Sequence, residues 1–254
     1  MRIAVTREVS PSIVRCELTL LPREPIDLER ARAQHRRYEE CLAELGCCVV
    51  RVPLEPTLPD AVFVEDTAIV LDEAAIVLRL GAESRRPEIE SIAAELRKHR
   101  TLARIEPPGT VDGGDILRLG RVLYGGVSRR TNADGLEQLR ALALPCGYRV
   151  AVVAVDACLH LKSAVTAVGA RTLLLNPQWV DAGAFDDVEV VEVDPSEPRA
   201  ANALLIDDTV IHAAEFPETR RRLVSCGIAV RNVEASELAK AEGGLTCCSL
   251  VFEA

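Results

Sequence analysis

The chain has no long apolar run. Its 254 residues are 48% hydrophobic and its mean hydropathy is +0.13, yet no stretch approaches the ~20 consecutive apolar residues a membrane-spanning helix needs. The opening residues, Met1-Arg2-Ile3-Ala4-Val5-Thr6-Arg7, lack the apolar segment of a secretory leader. Nine cysteines are present, but no Cys-x-x-Cys and no framework spacing. An odd count without such spacing reads as reduced thiols in a cytoplasmic protein. A zinc site needs three or four ligands at metal-site spacing. Cys247 and His160 could supply two, no third stands out, and neither a metal nor an organic cofactor is expected. A basic excess is also missing. Thirty Lys and Arg against 39 Asp and Glu leave a net charge of −9. That balance argues against nucleic acid and anionic membranes as partners. It suits a small cationic molecule, and it serves solubility equally well.

What the chain does have is a period. The spacing predicts a strand at Arg2–Thr6, a long proline-bearing segment over 8–26 that reads as a lid or binding loop, a helix capped by Asp27 and closed by Gly46, and a strand over 47–52. A hairpin (67–71 and 75–80), a helix opened by Pro87 and a strand (102–106) follow. The same order recurs at 115–155, at 160–193 with only a short helical part near 177–182, and at 202–233. A fifth hairpin would pair 246–252 with Arg2–Thr6, its helix and strand being those at the N-terminal end. A repeat of about 50 residues signals a repeat architecture, and a unit made from both termini locks a ring shut. The expected fold is therefore α/β: a five-bladed α/β propeller of pseudosymmetric hairpin–helix–strand units, one domain over 1–254. A doubly wound sheet fits less well, because it alternates single strands, not hairpins, with helices.

The first strands of the units open on Glu65-Asp66, Asp112-Gly113-Gly114-Asp115, His160-Leu161-Lys162, Asn202 and Thr246-Cys247. In a closed ring, equivalent positions converge on the axis. Each residue has a plain reading of its own. Asp112 before two glycines is a turn former, His160 between two leucines is a core histidine, and Cys247 and Cys248, read as adjacent positions on the last strand, face opposite ways, one of them packing as a small hydrophobe. Together they are a thiol, an imidazole and carboxylates, the set used in nucleophilic catalysis. An acyl-transfer site would want an electropositive pocket. This one is anionic, so the electrophile should be cationic, planar and bound by carboxylates in a fork, as a guanidinium is. Thiolate attack, protonation of the leaving amine by His160 and hydrolysis of the thiouronium would yield a urea. Carboxylates beside Cys247 should also raise its pKa in the free enzyme, with the bound cation lowering it again.

These residues resemble the dimethylarginine dimethylaminohydrolase family of the guanidine-modifying pentein superfamily. The resemblance rests on Pro59-Asp60-Ala61-Val62-Phe63-Val64-Glu65-Asp66, Gly81-Ala82-Glu83-Ser84-Arg85-Arg86, Asp112-Gly113-Gly114-Asp115, Ser128-Arg129-Arg130-Thr131-Asn132, Leu159-His160-Leu161-Lys162-Ser163 and Leu245-Thr246-Cys247-Cys248-Ser249. It implies Cys247 as nucleophile, His160 as general acid and base, and Asp112 as its orienting carboxylate. It implies Asp66 as the guanidinium holder and Asp60, Glu65, Arg85 and Arg130 along the rest of the substrate site, the two arginines suiting the α-carboxylate. Leu18 and Ala241 match positions that touch the amino acid through the backbone. Related deiminases carry an Asp two residues after the histidine, to accept hydrogen bonds from an unsubstituted guanidinium. A dimethylated nitrogen would leave that Asp buried and unpaired, so Lys162 favours methylated arginine. The expected activity is hydrolysis of Nω-methylated L-arginine to L-citrulline and a methylamine, by a monomer or homodimer. The alternatives are another guanidine substrate, such as hydroxyarginine or arginine, or a non-catalytic scaffold that binds cations.

Overall fold

The computed structural model describes residues 1–155 and 157–254. Five three-stranded sheets follow one another around a ring. In each blade the first two strands are antiparallel and the third runs parallel to the second. Blade one is Ala68–Val70, Ala74–Val77 and Thr101–Arg104, and blade two is Ile116–Leu119, Val122–Val127 and Arg149–Ala154. Blade three is Val165–Ala167, Thr172–Leu175 and Glu189–Glu192, and blade four is Ala203–Ile206, Thr209–Ala213 and Ala229–Val233. Blade five joins the two ends of the chain. Leu250–Glu253 pairs antiparallel with Arg2–Thr6, which in turn pairs parallel with Cys48–Arg51. A parallel partner needs a crossover, and a helix supplies it in four blades. These helices are Leu28–Glu44 with Asp27 accepting from the Arg30 amide, Ile89–Leu96, Ala133–Ala143 with Asn132 accepting from the Gly135 amide, and Pro217–Ser225. Blade three crosses with only a 3-10 turn at Ala182–Ala184. Among the described residues, no helix is long and apolar enough to cross a membrane.

The strand alternation places apolar side chains between neighbouring blades. Leu123, Ile116, Leu139 and Ile76 pack blade one on blade two. Leu173, Leu161, Tyr124 and Val153 join two to three, and Val210, Leu174 and Leu223 join three to four. Ile211, Leu42 and Tyr38 join four to five, and Ile3, Val5, Ile92 and Phe252 close five on one. Each fully buried aliphatic side chain contributes about 1.5–3 kcal/mol.

The element boundaries correct the sequence reading at the positions that matter most. Residues 160–164 and 243–249 are not strand. His160 precedes a single helical turn, Leu161–Ala164, and Cys247 lies in a 3-10 turn, Thr246–Cys248. Val64–Thr67 and Gly113–Asp115 are 3-10 turns as well. Four blades thus enter their first strand through a helical turn. The physical reason is that a short turn feeding a strand and the strand itself share the same apolar pattern over so few residues. A turn points successive side chains about 100° to 120° apart, not alternately to two faces. The argument that Cys247 and Cys248 face opposite ways along a strand therefore does not apply.

Candidate active site

The axial ends of these turns bring the ionisable groups together. Asp66, Asp112 and His160 place one ligand atom each within 4.8 Å of one another. His160 is buried and its Nε2 lies 3.2 Å from Asp112 Oδ2. Asp112 is fully buried, its Oδ1 accepts from the Gly81 amide at 2.8 Å, and Arg130 Nη1 stands 3.6 Å from Oδ2. Asp66 accepts from the Gly114 amide (3.0 Å) and from Arg85 Nη1 (2.7 Å). Every one of these carboxylate oxygens already faces an N–H donor. The cluster is built to hold protons and cations of the guanidinium kind, and a metal would have to displace those donors.

Two glycines let the cluster close up. A Cβ on Gly114 would lie 2.7 Å from His160 Nδ1 and 3.0 Å from Asp66 Oδ1, and one on Gly113 would lie 2.0 Å from the Glu65 carbonyl.

Cys247 is half-buried, and its Sγ accepts from the Gly244 amide at 3.3 Å. It lines two adjoining cavities together with Leu159, His160, Glu242 and Gly243. The inner cleft, about 20 Å³, is charged, with Asp60, Asp66, Arg85 and Arg130 in its wall beside Ala241. The outer chamber, about 370 Å³, is mainly apolar, with Leu20, Leu21, Trp179 and Phe216.

The electrostatics follow from burial among like charges. Burial, then Glu65 and Asp66, push the Cys247 thiol up to about 12. Burial pulls His160 down, but Asp66, Asp115 and Asp112 outweigh it and raise the imidazole to about 9. Burial works against ionised Asp66, yet His160 and Arg85 hold it at about 2. Asp60 is raised, chiefly by burial, although Arg85 opposes the shift.

The other expected residues fall in distinct places. Arg85 is buried, and its fork is engaged by Glu88, Asp66 and the Phe63 and Asp60 carbonyls. Asp60 accepts from the Glu17 amide at 3.0 Å, and Arg130 donates to Thr19 Oγ1 at 3.2 Å, so both reach the 8–26 segment. Leu18 packs half-buried against the core of the fourth and fifth blades. Ala241 is buried in the inner wall. Glu65 is not in the wall of either cavity beside Cys247. It closes the axis underneath: Oε1 binds Lys162 Nζ and Oε2 accepts from Thr246 Oγ1, both at 2.6 Å. Asn202 completes this floor, donating to the Lys162 carbonyl (3.1 Å) and to Thr246 Oγ1 (3.0 Å).

Sequence reasoning missed Glu88 and Glu242, and it set Asp115 and Asn202 at the axis without giving either a role. Glu88 sits three residues after Arg85, the spacing of a helical ion pair, and that signal was available. Asp115 accepts from the Leu161 amide at 3.0 Å and so fixes the turn after His160, a contact across 46 residues that no local pattern carries.

A closed ring of five α/β blades, with a thiol, a buried imidazole–carboxylate pair and a guanidinium-type cradle at its axis, defines a guanidine-modifying enzyme of the propeller class. The chain belongs to the arginine deiminase family, whose model matches residues 50–202. It is 36% identical to the N(G),N(G)-dimethylarginine dimethylaminohydrolase of Pseudomonas aeruginosa, over 89% of this chain and 90% of that protein. It is 37% identical to the protein of the same name from Streptomyces coelicolor, over 97% of this chain and 95% of that one. The solved structure of the P. aeruginosa enzyme, a cysteine-to-serine variant with citrulline bound, superposes with a TM-score of 0.94 at 34% identity and covers 98% of both chains.

Proposed function

We propose that this chain hydrolyses Nω-methylated L-arginine to L-citrulline and dimethylamine or methylamine. The observation that carries the reading is that Cys247 shares one cleft with Asp66, Arg130 and His160, whose imidazole is paired with the buried Asp112. The likeness to two curated dimethylarginine dimethylaminohydrolases supports it. Asp66 holds the guanidinium. Arg130, with Arg85 beside it, receives the α-carboxylate. Asp60 and the backbone at Leu18 and Ala241 receive the α-amino group. The cation's charge offsets that of Glu65 and Asp66, so the Cys247 thiol loses its proton to solvent as substrate binds. The thiolate attacks the guanidinium carbon. Protonated His160 passes its proton to the methylated nitrogen, and the C–N bond breaks to leave a thiouronium. Neutral His160 then takes one proton from water as it adds. The hydroxyl adduct collapses, breaking the C–S bond and passing its hydroxyl proton to the departing sulfur, to leave citrulline and the free Cys247 thiol. Asp112 keeps the imidazole oriented through both steps. The outer chamber gives the apolar amine a way out. Nine cysteines without framework spacing suit the cytoplasm, where thiols are kept reduced.

The test is citrulline formation from asymmetric dimethylarginine, monomethylarginine, hydroxyarginine and arginine, with Cys247→Ser as control. Turnover of the methylated substrates, lost in the variant, is expected. Turnover of arginine alone would make the chain a deiminase, and no turnover of any would return it to a cation-binding scaffold.

A further inference from the structure

We propose that Glu242 is a positioning residue: its carboxylate holds the tip of the 8–26 segment closed over the reacting groups and so sets the affinity for substrate. Three consecutive main-chain amides converge on this one side chain. Thr19 donates to Oε2 at 2.9 Å, and Leu20 and Leu21 both donate to Oε1 at 2.6 Å. Successive amides turned to one point form a concave anion-binding nest, and here the anion is built into the chain. Residues 16–27 form neither helix nor strand, so no ladder supplies these amides with partners. Leu20 is 50% exposed, so apolar burial does little to hold the tip down.

The geometry at Glu242 points the same way. Its φ is +59°, the left-handed region that glycine enters freely and a β-carbon resists. Two glycines follow it directly, so a glutamate at this position is held there by its contacts. Glu242 lines both cavities beside Cys247 and His160, and it follows Ala241. The segment has two other ties to the site, Asp60 to the Glu17 amide and Arg130 to Thr19 Oγ1. Both use groups that the amino acid would itself engage on binding. The Glu242 clamp draws on no group assigned to the substrate, so it can hold the tip whether the cleft is empty or full. The Ser84 Oγ–Glu17 Oε1 bond (2.5 Å) and the Lys240 Nζ–Pro25 carbonyl bond (3.1 Å) share that property but hold residues on either side of the tip, not the tip itself.

The kinetic part of this inference rests on the methylarginine reading, and the structural part does not. The experiment therefore measures hydrogen–deuterium exchange of the 16–24 peptide and steady-state kinetics on the same preparations. Glu242→Gly and Glu242→Asn both accept a left-handed backbone, and neither side chain reaches the tip. Glu242→Gln keeps the length and one carbonyl acceptor. In the Gly and Asn variants the amides of residues 19–21 are expected to exchange roughly tenfold faster, equivalent to about 1.4 kcal/mol. KM for the methylated substrate should rise by a similar factor, while kcat changes by less than about threefold, the pattern of lost uniform binding. Gln should fall between these variants and wild type. Unchanged exchange in both the Gly and Asn variants overturns the clamp. Faster exchange with a fall in kcat at constant KM overturns the positioning role, because Glu242 would then act on the chemistry. If wild type turns over no methylated arginine, the functional reading fails and the exchange data alone decide the clamp.

Discussion

At the scale of the residue, His160 couples catalysis to stability. Its folded pKa of about 9 exceeds the ordinary 6.5. A raised base contributes stability that is fully present below about pH 6.5 and is lost as pH rises through about 9. Asp66 runs the other way: held at about 2 against an ordinary 3.8, it contributes above about pH 4 and loses that contribution as pH falls toward 2. Above pH 9 the Cys247 thiol adds to the alkaline decline, because it ionises in the unfolded chain and stays protonated in the folded one. Urea denaturation at a series of pH values should therefore show wild type losing on the order of 3 kcal/mol more than His160→Gln between pH 6.5 and 9.5. Taking the difference removes Glu88, whose carboxyl burial pushes to about 7 in both proteins. Identical slopes would mean that the three aspartates do not hold the imidazole charged. The nature of these groups was legible in the sequence, down to the carboxylates that raise the thiol. The charge saturation of Arg85 was legible only in part: the three-residue spacing to Glu88 is a local signal, whereas Asp66 and the Phe63 carbonyl reach the same fork only in the folded chain.

At the scale of the element, the functional unit is the helical turn that feeds each first strand. A strand would have sent Glu65 and Asp66 to opposite faces. The turn sends Asp66 to the cluster and Glu65 to the floor, so one dipeptide serves two levels of the axis. Gly114 belongs to the same device. Its φ is not left-handed, so alanine is tolerated by the backbone and the cost is steric, against His160 and Asp66. Gly114→Ala should lower kcat by roughly 100-fold, the scale of a 1 Å misplacement, with circular dichroism unchanged. A wild-type kcat would show that the imidazole has room the geometry does not suggest. Hairpins and capped helices were readable because Asp27, Asn132 and Pro217 carry local signals. The turns were not, because three or four residues are too few for a period to declare itself.

At the scale of the whole molecule, Glu65, Lys162, Asn202 and Thr246 link four of the five blades in a polar ring across the axis. Another cavity, about 510 Å³ and lined by the first strands, lies beyond it. The ion pair is mostly buried, with 17% and 10% of the two side chains exposed. Removing one partner leaves a buried charge unmatched, while removing both is far milder. Lys162→Met should cost up to about 3 kcal/mol in urea denaturation, and adding Glu65→Gln should restore most of that loss. Equal costs for the single and double variants would mean that water, not Lys162, satisfies Glu65.

The sequence by itself determined the repeat, the closure of the ring by both termini and the list of reactive groups, because periodicity, caps and residue chemistry are local properties. Only the tertiary structure decided which groups share a cleft. It set Glu65 beneath the site, placed Asp115 behind His160 and brought Glu242 to the amides of residues 19–21. Those contacts span 46 to 223 positions along the chain, and a carboxylate's partner is fixed by the donors that folding brings within hydrogen-bond reach.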